Sequence, residues 1–379
     1  MKSKTYEQYR DAKRRGDREE AAKLKYRLEQ RARIFISKYT KNKAWLARPA
    51  SVAARLFESK KFKQHLNEVI RAYVPEGSAV PKRRLRRLHR DVRFTEFQYR
   101  VNAEEYFRYR FENLSKYGRQ TYVGDAELNE AFRRLNDPEE SSILFDKYKT
   151  YCFFEPYFHR KAILVNGEED RAKLREFCEE NDVFFVKPLL QYGGHGVSRI
   201  VLEKDGSLEQ RLTELLTRAP MIVEQPIRQA EAMACFHPQS INTVRVVSAR
   251  IDGRTEIVQT SVRLGTGGSV VDNGCLSASV DPELGIITSP GREAYSSGLF
   301  IRHPDTGEQI LGRQIPDWDK LLAFVMELTS HLKRQRIVGW DLAYSTDGWV
   351  MVEANSQPAI QILAGNGVGM RDVFARMIR

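Results

Sequence analysis

The sequence predicts an α+β protein that begins with a basic, mainly helical region. Three features of the 379 residues lead to this prediction. The first third has long stretches without proline and apolar residues at helical spacing. From Thr121 onwards, helix signals alternate with short runs of β-branched and aromatic residues. Hairpin-type turns such as Asp252-Gly253 separate many of these runs, which favours mainly antiparallel sheets.

The helical region carries the positive charge of the chain. Residues 1–120 contain 33 Lys and Arg against 14 Asp and Glu, a net charge of +19, whereas residues 121–379 contain 29 against 36, a net charge of −7. We therefore predict two parts, a basic helical region over 1–120 and a second unit over 121–379. Helix is expected over Tyr6–Ser37, Val52–Tyr73 and Leu85–Leu114. The charge indicates either an anionic partner or solvated helix faces, and both interpretations are open.

The strands of the second unit can be placed from their β-branched and aromatic residues and from the turns between them. They are expected at Ile163–Val165, Val183–Val186, Ile200–Leu202, Met221–Glu224, Thr243–Ile251, Glu256–Leu264, Ile337–Ala343 and Trp349–Glu353.

Composition excludes several classes of protein. The longest apolar runs are far shorter than the roughly 20 residues of a membrane span. The first residues have no apolar stretch of the kind a secretory signal contains, so we expect a cytoplasmic protein. The four cysteines form no C-x-x-C pair, which argues against a zinc knuckle or a disulfide framework.

A lysine followed by a glycine-rich loop is the first candidate site. The apolar run 184–186 leads into Lys187, and Gly193, Gly194 and Gly196 follow. Backbone N–H groups of such a loop can contact phosphate oxygens while the ammonium group pairs with their charge. The lysine precedes the glycines, so this is not a P-loop. An ordinary glycine hairpin is the alternative.

The second candidate site is a hairpin with acidic and amide side chains. If Thr346–Gly348 is a three-residue loop with Gly348 at positive φ, Ser345 lies opposite Trp349 and Asp341 opposite Glu353. Strand alternation then places Asn355 on the same face. Two carboxylates and an amide oxygen suit Mg²⁺ shared with nucleotide phosphates. A structural carboxylate pair beside a cation is the alternative.

Two further segments lie between these sites. The strand that ends at Glu224 is followed by Gln225-Pro226-Ile227, a plausible adenine-holding hinge. Arg245 lies within a β-branched run, where an unpaired arginine is unfavourable. It can clamp a transferring phosphoryl group, or it can form an ion pair with a core carboxylate.

The order of these parts resembles the ATP-grasp superfamily of carboxylate-amine ligases. The resemblance covers about Phe145 to Arg379 and rests on the combined order of the motifs. It implies an ATP-grasp fold over 121–379, with ATP held between two α+β subdomains. It departs from the family at His195, a bulky residue in the flexible loop that either reaches the γ-phosphate or faces water.

The resemblance also implies roles for individual residues. Lys147, with Lys149 as the competing assignment, and Lys187 would hold the ATP phosphates. The hinge Glu224–Ile227 would receive adenine and Glu231 the ribose. Arg245 would meet the transferred phosphoryl group. Asp341, Glu353 and Asn355 would carry two Mg²⁺ ions.

The segments 237–245 and 268–273 look most like the sugar-transfer-associated ATP-grasp branch. By resemblance, the reaction would convert a substrate carboxylate to an acyl phosphate, which a nucleophile, most often an amine, then attacks. The substrates would be small molecules or saccharide-linked groups, with a role in cell-surface polysaccharide biosynthesis. A simple ATP-dependent kinase, a nucleic-acid-associated protein and a non-catalytic nucleotide-binding scaffold are the alternatives.

The basic region would then dock on the anionic inner face of the membrane. The arginines of the run Arg83–Arg87 are the densest candidates for that contact. Nucleic acid is the less favoured partner because no RNA-binding signature accompanies the charge, and the aromatic residues Tyr99, Tyr106, Phe107, Tyr109 and Phe111 are equally good core residues. The sequence leaves the oligomeric state open.

Overall fold

The computed structural model describes residues 4–74, 80–190, 196–202, 207–269, 276–293, 296–358 and 369–378. The chain divides into two compact units. The first comprises residues 1–131, 295–297 and 367–375, and the second comprises 132–294, 298–366 and 376–379.

The first unit is helical, as predicted, but its helices are shorter than the sequence patterns suggest. Gly16, at φ +75°, ends the first helix, and the Asp17 side chain caps the next by accepting the Glu20 N–H. Arg100 at φ +60° likewise interrupts the predicted helix Leu85–Leu114. The helices are α1 (Lys4–Arg14), α2 (Arg18–Thr40), α3 (Ala44–Phe57), α4 (Lys60–Tyr73), α5 (Lys82–Tyr99), α6 (Ala103–Arg108), α7 (Lys116–Gln120), and most of α8 (Asp125–Leu135) and α15 (Arg371–Met377).

An aromatic core holds these helices together. Tyr99, Tyr106, Tyr109 and Phe111 are buried beside aliphatic residues of α4 and α5, and Phe107 is partly buried. Each fully buried side chain of this size contributes roughly 1.5–3 kcal/mol to folding. These rings belong to the core, so they are not an exposed platform on which nucleic-acid bases could stack.

The second unit contains helices and two antiparallel sheets. The short strands β7 to β9 have no clear pattern in the sequence, whereas all eight predicted strands are present within a few residues of the expected bounds. The helices are α9 (Pro138–Phe145), α10 (Lys147–Phe154), α11 (Arg171–Glu180), α12 (Leu208–Leu216), α13 (Glu231–Ala234) and α14 (Trp318–His331). The strands are β1 (Ala162–Val165), β2 (Val183–Pro188), β3 (Ser198–Val201), β4 (Met221–Glu224), β5 (Thr243–Ile251), β6 (Arg254–Leu264), β7 (Leu276–Ser279), β8 (Gly291–Glu293), β9 (Leu299–Phe300), β10 (Ile337–Ser345) and β11 (Gly348–Asn355).

Each sheet has its own apolar core. The smaller sheet has the strand order β1-β4-β2-β3, and α11 and α12 contribute Phe177 and Leu212 to its core. The larger sheet has the order β11-β10-β5-β6-β7-β8-β9, and its core contains Trp340 together with Val325 of α14. All recorded strand pairs are antiparallel, which confirms the predicted sheet type.

Candidate active site

A row of polar side chains runs across four strands of the larger sheet, from its edge strand β11 to β6. Asp341 on β10 lies opposite Glu353 on β11 and opposite Arg245 on β5, and Arg245 in turn lies opposite Ser261 on β6. Directly opposite residues share one face of a sheet, with Cβ atoms about 4.5–5.5 Å apart. Strand pairing therefore brings together charged side chains that are far apart in sequence. Arg245 and Glu353, the most distant two, are separated by 108 positions.

The hairpin that carries two of these residues differs from the predicted one at its tip. Ser345 pairs with Gly348 and not with Trp349, so the loop has two residues, Thr346 and Asp347. Gly348 does adopt positive φ, at +103°, as expected. The predicted loop length is therefore wrong.

A β-bulge nevertheless restores the predicted carboxylate pair. Leu342 lies opposite Met351, whereas the next pair along the ladder is Asp341 opposite Glu353. Val352 is therefore the extra residue on β11, and it shifts the register by one position. The predicted apposition of Asp341 and Glu353 is confirmed, although it arises from a shorter loop plus a bulge.

Arg245 is held by Asp341 in a buried, bidentate ion pair. Arg245 Nη2 donates to Asp341 Oδ2 at 2.6 Å, and Nε donates to Oδ1. Arg263 adds a second guanidinium, with its Nη1 3.6 Å from Asp341 Oδ2. Burial alone would raise the pKa of Asp341, but the two arginines outweigh it and hold that pKa below its ordinary value. Of the two interpretations of Arg245, the ion pair with a core carboxylate is the one this geometry displays.

The ionised form of Glu353 is stabilised less by its surroundings than that of Asp341. Burial, and then the negative charge of Asp341, raise the pKa of Glu353, and the hydrogen bond from Asn355 Nδ2 to Glu353 Oε1, 3.0 Å long, offsets this only in part. A positive charge beside Glu353 would favour its ionised form.

Glu353 and Asn355 also line a pocket at the surface of the second unit. Three more of the predicted nucleotide-binding residues, Lys147, Lys187 and Glu224, line the same pocket. The structure thus brings together five residues that lie on α10, β2, β4 and β11. Asp341 and Arg245 lie beside it in the polar row and do not belong to its lining.

Glu224 links two cations at this pocket. Its Oε2 accepts hydrogen bonds from Arg160 Nε at 3.2 Å and Nη2 at 3.0 Å, and its Oε1 contacts the Lys187 ammonium group. Lys187 reaches it because Phe185, two residues earlier on β2, is the direct cross-strand partner of Glu224. Burial would raise the pKa of Glu224, yet the charges of Arg160 and Lys187 lower it overall. Glu224 is therefore an ionised, buried counter-ion for Lys187.

The structure distinguishes the two candidates for the first nucleotide lysine. Lys147 is the first residue of α10, whose N-terminus is capped by the Asp146 side chain, and it lines the pocket. Burial lowers the pKa of Lys147, and Glu353 partly offsets that effect. Lys149 is exposed and does not belong to the pocket lining. The geometry therefore favours Lys147.

The predicted hinge divides between two pockets. Gln225 and Ile227 line a second pocket with Asn181 and Thr346, whereas Glu224 faces the lysines. The Gln225 side chain is already bonded, since its Oε1 accepts the Lys161 N–H at 2.8 Å and its Nε2 donates to Asn181 at 2.8 Å.

The remaining predicted site residues either line neither pocket or fall outside the residues that the structure describes. Glu231 is exposed at the start of α13 and lines neither pocket. Gly196 is exposed at φ +75°, and its carbonyl accepts a hydrogen bond from Arg218. Gly193, Gly194 and His195 lie outside the described residues.

A second glycine loop follows β6 and is anchored by buried histidines. His303 Nε2 lies 2.7 Å from the Gly265 carbonyl oxygen, and His237 Nε2 lies 2.8 Å from the Gly267 carbonyl oxygen. A Cβ at Gly265 would lie 1.9 Å from Ser240 Oγ and 2.5 Å from His237 Nδ1. Only glycine fits at this position.

Comparison with protein families gives one match. The model of the family described as sugar-transfer associated ATP-grasp matches residues 127–377. The chain belongs to the sugar-transfer associated ATP-grasp family. The predicted superfamily, branch and α+β fold class are thereby confirmed. The second unit lies almost wholly within the matched residues and is called the ATP-grasp unit. A comparison with curated proteins found no match.

Solved structures of ATP-grasp ligases resemble the chain more distantly. D-alanyl-alanine synthetase A from Vibrio cholerae is 13% identical, with a TM-score of 0.43 over 64% of this chain and 66% of that one. D-Alanine-D-alanine ligase from Helicobacter pylori is 13% identical, with a TM-score of 0.40 over 64% and 62%. N5-carboxyaminoimidazole synthase from Aspergillus clavatus is 12% identical, with a TM-score of 0.38 over 62% and 51%. The matches span less than two thirds of each of these chains.

Two charged residues near the site, Arg263 and Arg160, are not among those predicted from the sequence. Arg263 could have been found, because Ser261 and Arg263 alternate with Val262 and Leu264 along β6 and so share the face of the polar row. Arg160 gave no such signal, since it lies in a connection before β1 and meets Glu224 only through tertiary folding.

The donor set fits the magnesium ions that this family implies. Asp341, Glu353 and Asn355 carry hard oxygen atoms of the kind that Mg²⁺ prefers. Both Asp341 oxygens are bonded to Arg245 in this structure, so a metal ion would have to replace that partner. Within the described residues, no group of three or more His, Cys, Asp and Glu is placed to hold a metal ion. Mg²⁺ is usually bound by one or two carboxylates together with water and phosphate oxygens.

Proposed function

We propose that this ATP-grasp protein is an ATP- and Mg²⁺-dependent ligase. It would activate a substrate carboxylate as an acyl phosphate and join it to an amine or another nucleophile, with release of ADP and phosphate. The supporting observation is the pocket that combines Lys147 and Lys187 with Glu353 and Asn355. Cations for phosphate and oxygen ligands for a metal are the parts that phosphoryl transfer requires.

The residues of the pocket have distinct roles in this proposal. Lys147 and Lys187 would pair with the ATP phosphates, while Glu224, itself held by Arg160, fixes the Lys187 ammonium group at the pocket wall. Asp341, Glu353 and Asn355 would hold two Mg²⁺ ions, which neutralise phosphate charge when bound.

Arg245 is the proposed contact to the transferred phosphoryl group. Its guanidinium group is balanced by Asp341, and phosphate oxygens can replace that carboxylate with little change in local charge. The hinge at Gln225 and Ile227 would receive adenine and Glu231 the ribose, through rearrangement of the contacts described above. The proposed acceptors are small-molecule or saccharide-linked amines of surface-polysaccharide synthesis, and the proposed location is the cytoplasm. None of the helices within the described ranges is long and apolar enough to cross a membrane.

A screen of ADP release over panels of carboxylates and amines tests the ligase proposal. Once a substrate pair is found, Asp341→Asn and Glu353→Gln should each lower turnover by on the order of 10²-fold or more, because each removes a charge that balances cations at the phosphates. Asp252→Asn is the matched control: it removes an exposed carboxylate from the β5–β6 turn of the same sheet, at φ +50°, where asparagine is tolerated. Full turnover of both folded site variants would contradict the assignment.

Product analysis separates the ligase from a simple kinase. A ligase forms ADP, phosphate and an amide only when carboxylate and amine are both present. A kinase forms a stable phosphorylated product from one substrate. Accumulation of a phosphoester without free phosphate would therefore replace the ligase proposal with the kinase alternative.

A further inference from the structure

The exposed apolar side chains of the first unit are concentrated in one short segment. Of the ten large hydrophobic side chains that are exposed in the described part of this unit, eight lie between Ile34 and Phe57. Single exposed apolar residues are normal on any protein surface, but a concentration of them is typical of an interaction surface.

Helix α3 carries four of these eight side chains, and three of them form one stripe. Trp45, Val52 and Leu56 are 74%, 63% and 76% exposed, respectively. At about 100° per residue they lie within about 40° of one another around the helix, and about 140–180° from Ala47, which is fully buried. The helix therefore packs on the protein through a small residue and directs its large apolar side chains to solvent, the reverse of an ordinary surface helix.

The segment that carries this apolar stripe has a positive net charge. Residues 31–63 contain ten Lys and Arg and a single acidic residue, Glu58. Three of the ten are balanced within the protein, since Arg33 pairs with Glu58, Lys38 with Glu130 and Lys41 with Glu127. Glu58 is buried and is paired with Arg33 and Arg93, so it adds no negative charge to the surface. Arg48 and Arg55 are exposed on α3, about 60–80° around the helix from the centre of the stripe.

We propose that α3 lies in the plane of an anionic lipid bilayer surface. Trp45, Val52 and Leu56 enter the headgroup region, and Arg48 and Arg55 contact lipid phosphates. An apolar stripe that contains a tryptophan and is flanked by arginines matches the chemistry of such a surface. The cores of protein–protein interfaces are instead depleted of charge, which disfavours a protein partner. This inference does not depend on the proposed catalytic activity.

This surface differs from the arginine run that the sequence indicates. Arg84 and Arg87 approach Glu112 at 3.5 Å and 2.9 Å, so part of their charge is balanced within the protein. The neighbouring Leu88 is buried and Leu85 is partly buried in the core, so that stretch of α5 offers no apolar side chain for insertion.

Tryptophan fluorescence tests the insertion directly. Trp318, Trp340 and Trp349 are at most 6% exposed, so Trp45 is the one exposed tryptophan of the four. Vesicles of equal parts phosphatidylglycerol and phosphatidylcholine should shift the emission to shorter wavelength, and brominated phosphatidylcholine should quench it. Both effects should be lost in Trp45→Phe. Vesicle binding without any change in Trp45 emission would overturn the proposal.

Flotation of the whole chain with vesicles measures how much Leu56 and the two arginines of α3 contribute to membrane binding. Leu56→Gln should weaken binding about tenfold or more. Arg48→Gln combined with Arg55→Gln should weaken it about 30-fold, since each basic residue contributes a factor of about five. Binding of the unchanged protein should also fall with salt, because the Debye length shrinks from about 10 Å at 0.1 M to about 3 Å at 1 M.

Two controls make these results specific. Leu284, 61% exposed in the second unit, should tolerate Leu284→Gln within twofold. If Arg83→Gln combined with Arg86→Gln weakens binding more than the α3 arginine pair does, the membrane contact lies on α5 and the proposal fails. The proposal also fails if the folded protein does not bind vesicles, or if the protein forms a dimer that Leu56→Gln dissociates. Circular dichroism melting establishes that each variant is folded.

Discussion

Replacing Glu224 by glutamine should destabilise the ATP-grasp unit far more than its conservative size suggests. The change keeps the shape of the side chain but removes the charge that balances Arg160 and Lys187. The side chains of Glu224 and Arg160 are only 6% and 3% exposed, so water cannot replace the lost partner. Leaving a buried charge without its partner typically lowers the free energy of unfolding by about 3–5 kcal/mol.

The contacts around Arg160 and Lys187 indicate that the loss of unfolding free energy lies near the lower end of this range. Arg160 Nη1 also donates to the carbonyl oxygens of Met351 at 2.7 Å and Phe158 at 3.2 Å, and these bonds survive the substitution. Lys187 is 18% exposed and can turn partly toward water. A loss of about 3 kcal/mol corresponds to a fall in melting temperature of about 6–12 °C for a unit of 150–250 residues.

Differential scanning calorimetry and urea unfolding measure this loss. Glu180→Gln is the matched control, because Glu180 forms an exposed ion pair with Lys161 at 2.7 Å and its loss should change the stability by less than about 1 kcal/mol. Adding Lys187→Met to Glu224→Gln should recover part of the stability by removing one unpaired cation. If Glu224→Gln costs no more than Glu180→Gln, the ion-pair reasoning is refuted.

Three further predictions follow from the geometry. Lys147→Ala should weaken ATP binding about 10- to 100-fold in titration calorimetry, the value of a charge-assisted hydrogen bond of about 1.5–3 kcal/mol, while Lys149→Ala should leave it within twofold; a larger effect of Lys149→Ala would reverse the choice between the two lysines. Gly265→Ala should lower the melting temperature by several degrees because its Cβ would overlap two buried side chains, and an unchanged melting curve would show that the loop relaxes. Burial, with the negative charge of Asp125, raises the pKa of Glu105 from 4.5 to about 8. The folded state therefore favours protonated Glu105, and the resulting gain in stability is full below about pH 4.5 and is lost as the pH rises toward 8. Hydrogen-exchange protection of α6 should therefore fall over this pH range by at most about 1.4 kcal/mol per pH unit, and Asp125→Asn should reduce that slope; a flat profile in the unchanged protein would contradict the raised pKa.

Much of the ATP-grasp unit could be predicted because its signals are local. The β-branched run Thr243–Ile251 is found as a strand with the predicted bounds, since an uninterrupted run of such residues between turn signals has few other conformations. The short strand Leu276–Ser279 has weak strand propensity and exists because β6 offers it a partner. Helix ends in the first unit are predicted less well. Gly16 followed by Asp17 is a common helix-stop and helix-start signal, but Arg100 ends a helix at positive φ, a conformation that its residue type does not indicate.

The sequence by itself determined the kinds of functional group and their order: lysines for phosphate, a hard-oxygen set at Asp341, Glu353 and Asn355, and a basic helical region of net charge +19. Only the tertiary structure decided which charges meet. Arg245 with Asp341 and Glu224 with Lys187 are pairings between strands distant in sequence, and a one-residue bulge fixes the apposition of Asp341 and Glu353. The reason is physical: side-chain chemistry is a property of each residue, whereas burial, register and proximity arise only when the strands pair and the helices pack against them.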